Sequence, residues 1–313
     1  MTRLIAIGEC MAELTRRGGT AMTLGFAGDT FNTAVYFKRL AGDDAAVGFV
    51  TAVGDDALTA DQLAFMDAEG IDVHAQRVGG ASPALYVVST DDVGERTFTY
   101  YRDASPVRRL LDPEHDEGTR MRDRMGEVLQ AADIVYFSAI TLQQLVPAAR
   151  RVLLELIARA RDGGALVAFD SNYRPRGWPS VDHASFAVLA AAAVTDIALP
   201  SLTDERQLFG DDDAAAVIAR YREAGVHEVV VKDGGGDILV GVGGALHRFA
   251  GAPIPRPVDT TGAGDSFNAG YLHARASGAS VAVAVARAAA VSRAVIGHPG
   301  AIVDRAVWLG VDA

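Results

Sequence analysis

Cysteine is nearly absent: Cys10 is the single one in 313 residues, so no intrachain disulfide can form and a reducing compartment suits the chain. Cations are in deficit, 29 Lys+Arg against 40 Asp+Glu, for a formal net charge of −11 at pH 7. That balance excludes a general nucleic-acid binder, which needs a basic stripe for the phosphate backbone. It leaves room for a small anion, because a local pair of arginines can hold one against the global field. No apolar run is long and unbroken enough for a membrane span; the longest, Ala279 to Ile296, is alanine-rich and interrupted by Arg287 and Arg293. The opening Met-Thr-Arg-Leu-Ile-Ala-Ile-Gly starts a strand at once and lacks a signal-peptide layout. Internal repeats and low-complexity linkers are missing as well. These absences predict a cytoplasmic globular protein with neither nucleic acid nor membrane as partner.

What is present is core material, since 50% of the residues are hydrophobic. Length alone would allow two domains of about 150 residues each, but α/β folds often exceed that as one unit. Short apolar runs predict buried strands at Leu4–Ile7, Ala46–Val53, Asp133–Phe137, Ala165–Phe169, Asp196–Leu199 and Glu228–Val231. Helical spacing occupies Thr30–Leu40, Ala57–Ala68, Ala148–Arg161 and Ala214–Ala224, with Gly42, Gly70, Gly163 and Gly225 placed as left-handed caps. Repeated strand–helix units with strands apolar on both faces indicate a parallel sheet covered by helices. Ala84 to Arg102 breaks the rhythm: two β-rich runs flank Asp91-Asp92-Val93-Gly94-Glu95, the pattern of a hairpin. In its second run Phe98, Tyr100 and Arg102 alternate with Thr97, Thr99 and Tyr101, so one face carries two rings and a cation. Arg108 to Arg124 is a charged helical surface segment.

The sharpest chemical signal is Asp259-Thr260-Thr261-Gly262-Ala263-Gly264-Asp265-Ser266-Phe267, followed by helical spacing. Two glycines flanking an alanine let the backbone turn tightly and aim its N–H groups from a helix start, a site for anionic oxygen. An aspartate at its lip can take a proton from an attacking hydroxyl while those amides stabilise a transferring phosphoryl group. Lys232-Asp233-Gly234-Gly235-Gly236-Asp237 follows a strand and by itself reads as a plain strand-to-strand turn. Ser201-Leu202-Thr203-Asp204-Glu205 caps a short helix before Phe209. The seven histidines show no metal-ligand spacing, and Cys10 reads as a small buried hydrophobe.

The nine-residue string resembles the D-T-x-G-A-G-D-x-F signature of the ribokinase-like (PfkB) family of carbohydrate kinases. The resemblance implies Asp265 as catalytic base, with Gly262, Ala263 and Gly264 as the anion hole. Gly25-Phe26-Ala27-Gly28-Asp29-Thr30-Phe31-Asn32 is similar to the first family signature, which would set Gly28, Asp29 and Asn32 against sugar hydroxyls. In the family's terms Lys232, Gly234 and Gly236 belong to the nucleotide loop, and Asn172 and Arg174 also serve ATP. Relatives carry Asn-x-x-Glu where this chain has Ser201 and Asp204, so the resemblance gives Mg²⁺, held indirectly, either Asp204 or Glu205. The implied fold is a three-layer α/β/α sandwich over residues 1–313, with a mostly parallel central sheet. A small β-sheet lid comes from roughly residues 9–25 and 71–104, and such a lid implies a homo-oligomer.

Three stretches resemble the branch of that family acting on 2-keto-3-deoxygluconate. They are Gly8-Glu9-Cys10-Met11-Ala12-Glu13-Leu14, Gly94 to Arg102, and Phe169-Asp170-Ser171-Asn172-Tyr173-Arg174-Pro175-Arg176-Gly177-Trp178. The implied reaction moves the γ-phosphoryl of ATP to the 6-hydroxyl of that sugar acid. Its carboxylate needs fixed positive charge, and arginine's planar fork grips a carboxylate at two points. By the resemblance Tyr86, Tyr100 and Arg102 line the sugar pocket, while Arg174 reaches both sugar and phosphate. A kinase for a neutral sugar such as fructose, and a catalytically idle binding regulator on the same fold, remain alternatives to that reading.

Overall fold

The strand β1 (Thr2–Ile7) is apolar on both sides: Leu4 and Ala6 pack into one core, Ile5 and Ile7 into another. A strand of this kind must be covered by helices above and below. The computed structural model, which describes residues 1–18, 20–90, 96–251 and 257–308, builds the rest of the fold on that principle. The further strands are β2 (Met11–Gly18), β3 (Ala21–Ala27), β4 (Ala45–Val53), β5 (Asp72–Arg77), β6 (Leu85–Thr90), β7 (Arg96–Tyr101) and β8 (Ile134–Ser138). They continue as β9 (Leu166–Asp170), β10 (Ile197–Ala198), β11 (Glu228–Val231), β12 (Ile238–Val242) and β13 (Ala245–Phe249). The helices are α1 (Asp29–Ala41), α2 (Ala57–Ala68), α3 (Asp116–Gln130), α4 (Ala139–Gln144), α5 (Pro147–Asp162) and α6 (Val181–Ala192). After them come α7 (Leu202–Phe209), α8 (Ala214–Glu223), α9 (Ala263–Ala276), α10 (Val281–Ile296) and α11 (Arg305–Trp308).

The large sheet has the order β13-β12-β11-β10-β9-β8-β1-β4-β5. Its strands run parallel from β11 to β5, and β12 and β13 are added antiparallel. Met121 and Met125 of α3, Leu153 and Ile157 of α5, Val188 of α6 and Ile218 of α8 fill the core on one face. Phe31 and Phe37 of α1, Met66 of α2, Tyr271 of α9 and Val291 of α10 fill the other. Helix, sheet and helix thus make three layers, as the alternation of apolar runs predicts. The chain leaves β1 for β4 on one side and later returns to β8 on the other, which opens a crevice at the carboxyl ends of these strands. Among the described residues no helix is long and apolar enough to cross a membrane.

Two local expectations need correction. Gly163 ends α5 in a right-handed conformation, and the positive φ of 102° falls one residue later, on Gly164. Residues 72–77 belong to the large sheet, in parallel register from Gly48–Asp72 to Val53–Arg77, so the small sheet takes from the 71–104 segment only β6 and β7. That sheet has the order β3-β2-β6-β7, and its buried side packs Met11, Ala27, Ala84, Tyr86 and Val88 against Ala301. β6 and β7 pair antiparallel with Tyr86 opposite Tyr100, as the hairpin pattern predicts; the expected turn at 91–95 lies outside the described residues.

Candidate functional site

The amides at the head of α9 are shaped by Gly262. It holds a φ of 76°, and a side chain there would bring Cβ to 2.7 Å from the Ala301 carbonyl oxygen, so only glycine fits without displacement. Of the cradle amides, that of Ala263 makes a 3.2 Å turn bond to the Thr260 carbonyl. Those of Gly262 and Gly264 meet no acceptor among the described residues, and neither does the amide of Asp265. Open N–H groups at the positive end of a 14-residue helix form a place for anionic oxygen.

Asp265 stands in the first turn of that helix, where Asn32 Nδ2 donates to its Oδ2 at 2.8 Å. Asn32 is held in turn by the Gly28 amide, which donates to Asn32 Oδ1 at 3.2 Å. Gly28 itself has no room for a Cβ, which would lie 1.9 Å from the Glu9 carbonyl oxygen. Its role in the structure is thus close backbone passage together with orientation of Asn32. Thr33 Oγ1 donates to the Asp265 carbonyl at 3.1 Å, locking α1 to α9. Asp29 Oδ2 accepts from Asn172 Nδ2 at 2.9 Å, which brings a second carboxylate and the β9 loop into the same crevice.

Around these lies a polar network that the sequence reading did not assemble. Asp170, buried at the end of β9, accepts from Asn268 Nδ2 at 2.6 Å and from Lys232 Nζ at 3.3 Å. Lys232 Nζ also donates to Asn268 Oδ1 at 2.8 Å, and Asn268 Nδ2 reaches the hydroxyl of Tyr136 at 3.0 Å. Asn268 follows Asp265 by three positions on α9, so helical spacing alone puts both on one face, and that signal was available. Nothing in the sequence pairs either with Tyr136 or Asp170. Burial, first, and then the Asp29 carboxylate push the Asp265 carboxyl from its ordinary 3.8 to about 8; the Asn32 donor and Lys232 pull against them, and Asp170 adds to the rise. A carboxyl in this state can take up a proton near neutral pH.

The remaining candidates divide. Residues 232–237 are a turn between the antiparallel β11 and β12, with Gly234 and Gly236 on its exposed part, so the strand-to-strand reading describes the backbone. Lys232 nonetheless points inward, its Nζ 3.8 Å from where a Cβ on Gly264 would lie. Ser201 Oγ accepts from the Asp204 amide at 3.1 Å and caps α7. Asp204 then lies 3.5 Å from Arg174 Nη1, with its carboxyl raised by burial and, less, by Asp170 against the pull of Arg174. Glu205, one position on, turns the other way: it is fully buried against Arg220 Nη2 and the Tyr221 hydroxyl, and burial raises it to about 7. The structure therefore brings Asp204 to the crevice and leaves Glu205 out. Arg174 is half exposed and donates to the Tyr173 carbonyl at 2.7 Å.

On the small sheet, Tyr86 and Tyr100 face each other with ring centroids 5.7 Å apart, and Arg102 lies 5.7 Å from the Tyr100 ring centre. Tyr101 is exposed on the other side, as alternation requires. The Tyr86 hydroxyl donates to Glu13, and Arg102 Nη2 donates to the buried carboxylate of Glu9. Among the described residues no group of three or more His, Cys, Asp or Glu side chains is placed to hold a metal ion directly.

The sequence profile described as "pfkB family carbohydrate kinase" matches residues 1–306. The chain is 39% identical over 309 residues to the 2-dehydro-3-deoxygluconokinase of Escherichia coli K12, with 97% of each chain covered. It is 40% identical over 308 residues to the 2-dehydro-3-deoxygluconokinase of Dickeya dadantii, covering 96% of this chain and 97% of that one. Among solved structures, a putative Ribokinase II from E. coli in complex with ATP and Mg²⁺ superposes with a TM-score of 0.81 at 19% identity, covering 96% and 95% of the two chains. The ribokinase-like sandwich expected from the sequence is thus the fold.

Proposed function

Because the chain belongs to the PfkB family of carbohydrate kinases, we propose that it transfers the γ-phosphoryl group of ATP to the 6-hydroxyl of 2-keto-3-deoxygluconate. The product is 2-keto-3-deoxy-6-phosphogluconate, and ADP leaves. The observation that carries this reading is the placement of the Asp265 carboxyl, with its raised affinity for a proton, under open amides at the head of α9. Asp265 takes the proton of the 6-hydroxyl as its oxygen bonds to the γ-phosphorus and the bridge to the β-phosphate breaks. The amides of Gly262, Gly264 and Asp265, with the Ala263 amide released from its long turn bond, receive charge from the migrating group. Lys232 is near enough to the same mouth to meet a phosphate oxygen.

Choice of a sugar acid is supported by the names of relatives 39–40% identical over nearly the whole chain, and by Arg102 and Arg174 as fixed cations. Asp29 and Asn32, the latter set by Gly28, face the sugar hydroxyls, Tyr86 and Tyr100 flank the ring, and Asn172, Arg174, Lys232, Gly234 and Gly236 serve the nucleotide. Asp204, beside Arg174, would hold Mg²⁺ through the waters of that ion, which dehydrates reluctantly. When bound, Mg²⁺ neutralises phosphate charge. The small sheet acts as a lid that excludes water from the transfer. Self-association belongs to this reading too, because edge strand β3 exposes Met22 and Leu24. The site of action is the cytoplasm.

The test is ADP release over a panel of sugar acids and neutral sugars, with phosphorus NMR to place the ester. The expected result is a strong preference for 2-keto-3-deoxygluconate, carried at C6, and loss of that preference in Arg102→Ala. Preference for fructose, or no ADP release with any sugar, would overturn the proposal.

A further inference from the structure

Glu9 stands two positions past β1, the strand at the heart of the large sheet, yet the phosphoryl transfer makes no use of it. Its carboxylate is 3% exposed and both oxygens are taken: Arg102 Nη2 donates to Oε2 and Ser105 Oγ to Oε1. Both donors come from the segment that leaves β7, so this buried trio ties the end of the small sheet to the end of the large one. The missing side chain of Gly28 is what allows the Glu9 backbone to pass there.

Arg102 is constrained on two sides, by Glu9 and by the Tyr100 ring. Among the described residues neither its buried Nε nor its Nη1 meets an acceptor. A buried donor left unmade is unfavourable, and an oxygen arriving with a ligand removes that penalty. Arginine is also a long, rotamer-rich side chain, and holding it in place beforehand removes an ordering cost from binding.

We propose that Glu9 is the positioning residue for Arg102: its carboxylate commits one nitrogen of the guanidinium to the protein and sets the others towards the sugar's anionic end. The inference rests on the reading that Arg102 faces the sugar. Two effects oppose one another when the Glu9 charge is removed. A bare Arg102 attracts an anion more strongly, but the group is no longer held, and a buried guanidinium without its partner turns to solvent. The closeness of the pair and its burial make the loss of position the larger effect.

Glu9→Gln, Glu9→Asp and Ser105→Ala test this on whichever sugar the wild-type enzyme prefers. Glu9→Gln should raise the KM for that sugar by about tenfold, the loss of one charge-assisted hydrogen bond. The KM for ATP should stay unchanged and kcat should move less than twofold. Glu9→Asp should recover part of the affinity, and Ser105→Ala, which keeps the charge pair if Glu9→Gln fails to fold, should give a smaller rise. The Arg102 Nε–H proton, assigned by its loss in Arg102→Lys, should exchange slowly in the wild type and fast in Glu9→Gln, or measurably faster in Ser105→Ala. An unchanged or lowered KM, or an Nε–H signal unmoved in the variants, overturns the assignment. A wild type that prefers a neutral sugar removes the sugar-acid reading, while the Nε–H signal and the KM of the preferred sugar still judge Glu9.

Discussion

Asn32 and Asp265, 233 positions apart in sequence, are joined by a 2.8 Å hydrogen bond from the amide nitrogen to the carboxyl oxygen. The bond crosses between the first turns of α1 and α9, so the two glycine-led motifs of the chain are halves of one site. Asn32 opposes the rise that burial and Asp29 impose on Asp265, and so helps set the pH at which that carboxyl can accept a proton.

The pH dependence of kcat/KM should carry this signature. With Asp265 near 8 in the free enzyme, the rate should climb with pH along a limb near that value and level off above it, because only the carboxylate acts as base. Asp29→Asn removes a charge that raises Asp265 and should move the limb down; Lys232→Met removes one that lowers it and should move the limb up. A limb that stays put in both variants assigns the titration elsewhere. Linkage gives a second readout. The folded carboxyl binds its proton more tightly than the unfolded one, so its contribution to stability is full below about 4 and is lost as pH rises through about 8. Denaturant midpoints of Asp265→Asn should therefore fall less over that range than those of the wild type.

The two neighbouring carboxylates of α7 should separate cleanly. Asp204→Ala should raise the Mg²⁺ concentration for half-maximal activity by about tenfold with little change in stability. Glu205→Ala should leave that concentration unchanged but lower stability by about 3 kcal/mol, because it takes an acceptor from Arg220 and from the buried Tyr221 hydroxyl. Magnesium titrations beside urea midpoints check both, and a Glu205 effect on magnesium alone would reverse the assignment.

Gly262→Ala should be costly in two ways. An alanine at φ 76°, with its Cβ 2.7 Å from the Ala301 oxygen, is strained by about 1–3 kcal/mol. Relief of that strain turns the amides at the head of α9 out of line, so kcat should drop along with the urea midpoint. A stable variant with normal turnover would show that this turn is not what sets the cradle.

Much of this was written in the chain. The parallel strands β1, β4, β8, β9, β10 and β11 are apolar runs, because strands covered on both faces have no polar side to show, and α2 covers the span Ala57–Ala68 that the sequence predicts. Asp265 and the glycines before it are a continuous string, so local spacing alone places them together. Asp170, Tyr136 and Asn268 were harder: each lies on a different element, and only the packing of β8, β9 and α9 makes them one network. Glu205 misled for a related reason. Adjacent residues on a helix point about 100° apart, so a single step from Asp204 carries a carboxylate from the crevice to Arg220. Asp72–Arg77 carried no sign of which sheet it joins, since an edge strand with polar faces fits either.

The measurement that bears most directly on the account is turnover by Asp265→Asn beside its affinity for ATP. The amide keeps the size and the bond with Asn32 but cannot accept the proton, so kcat should fall by about 10² to 10⁴ while the Kd for ATP, measured by calorimetry, stays within about twofold. Near-normal turnover in a folded, ATP-binding variant would contradict the account.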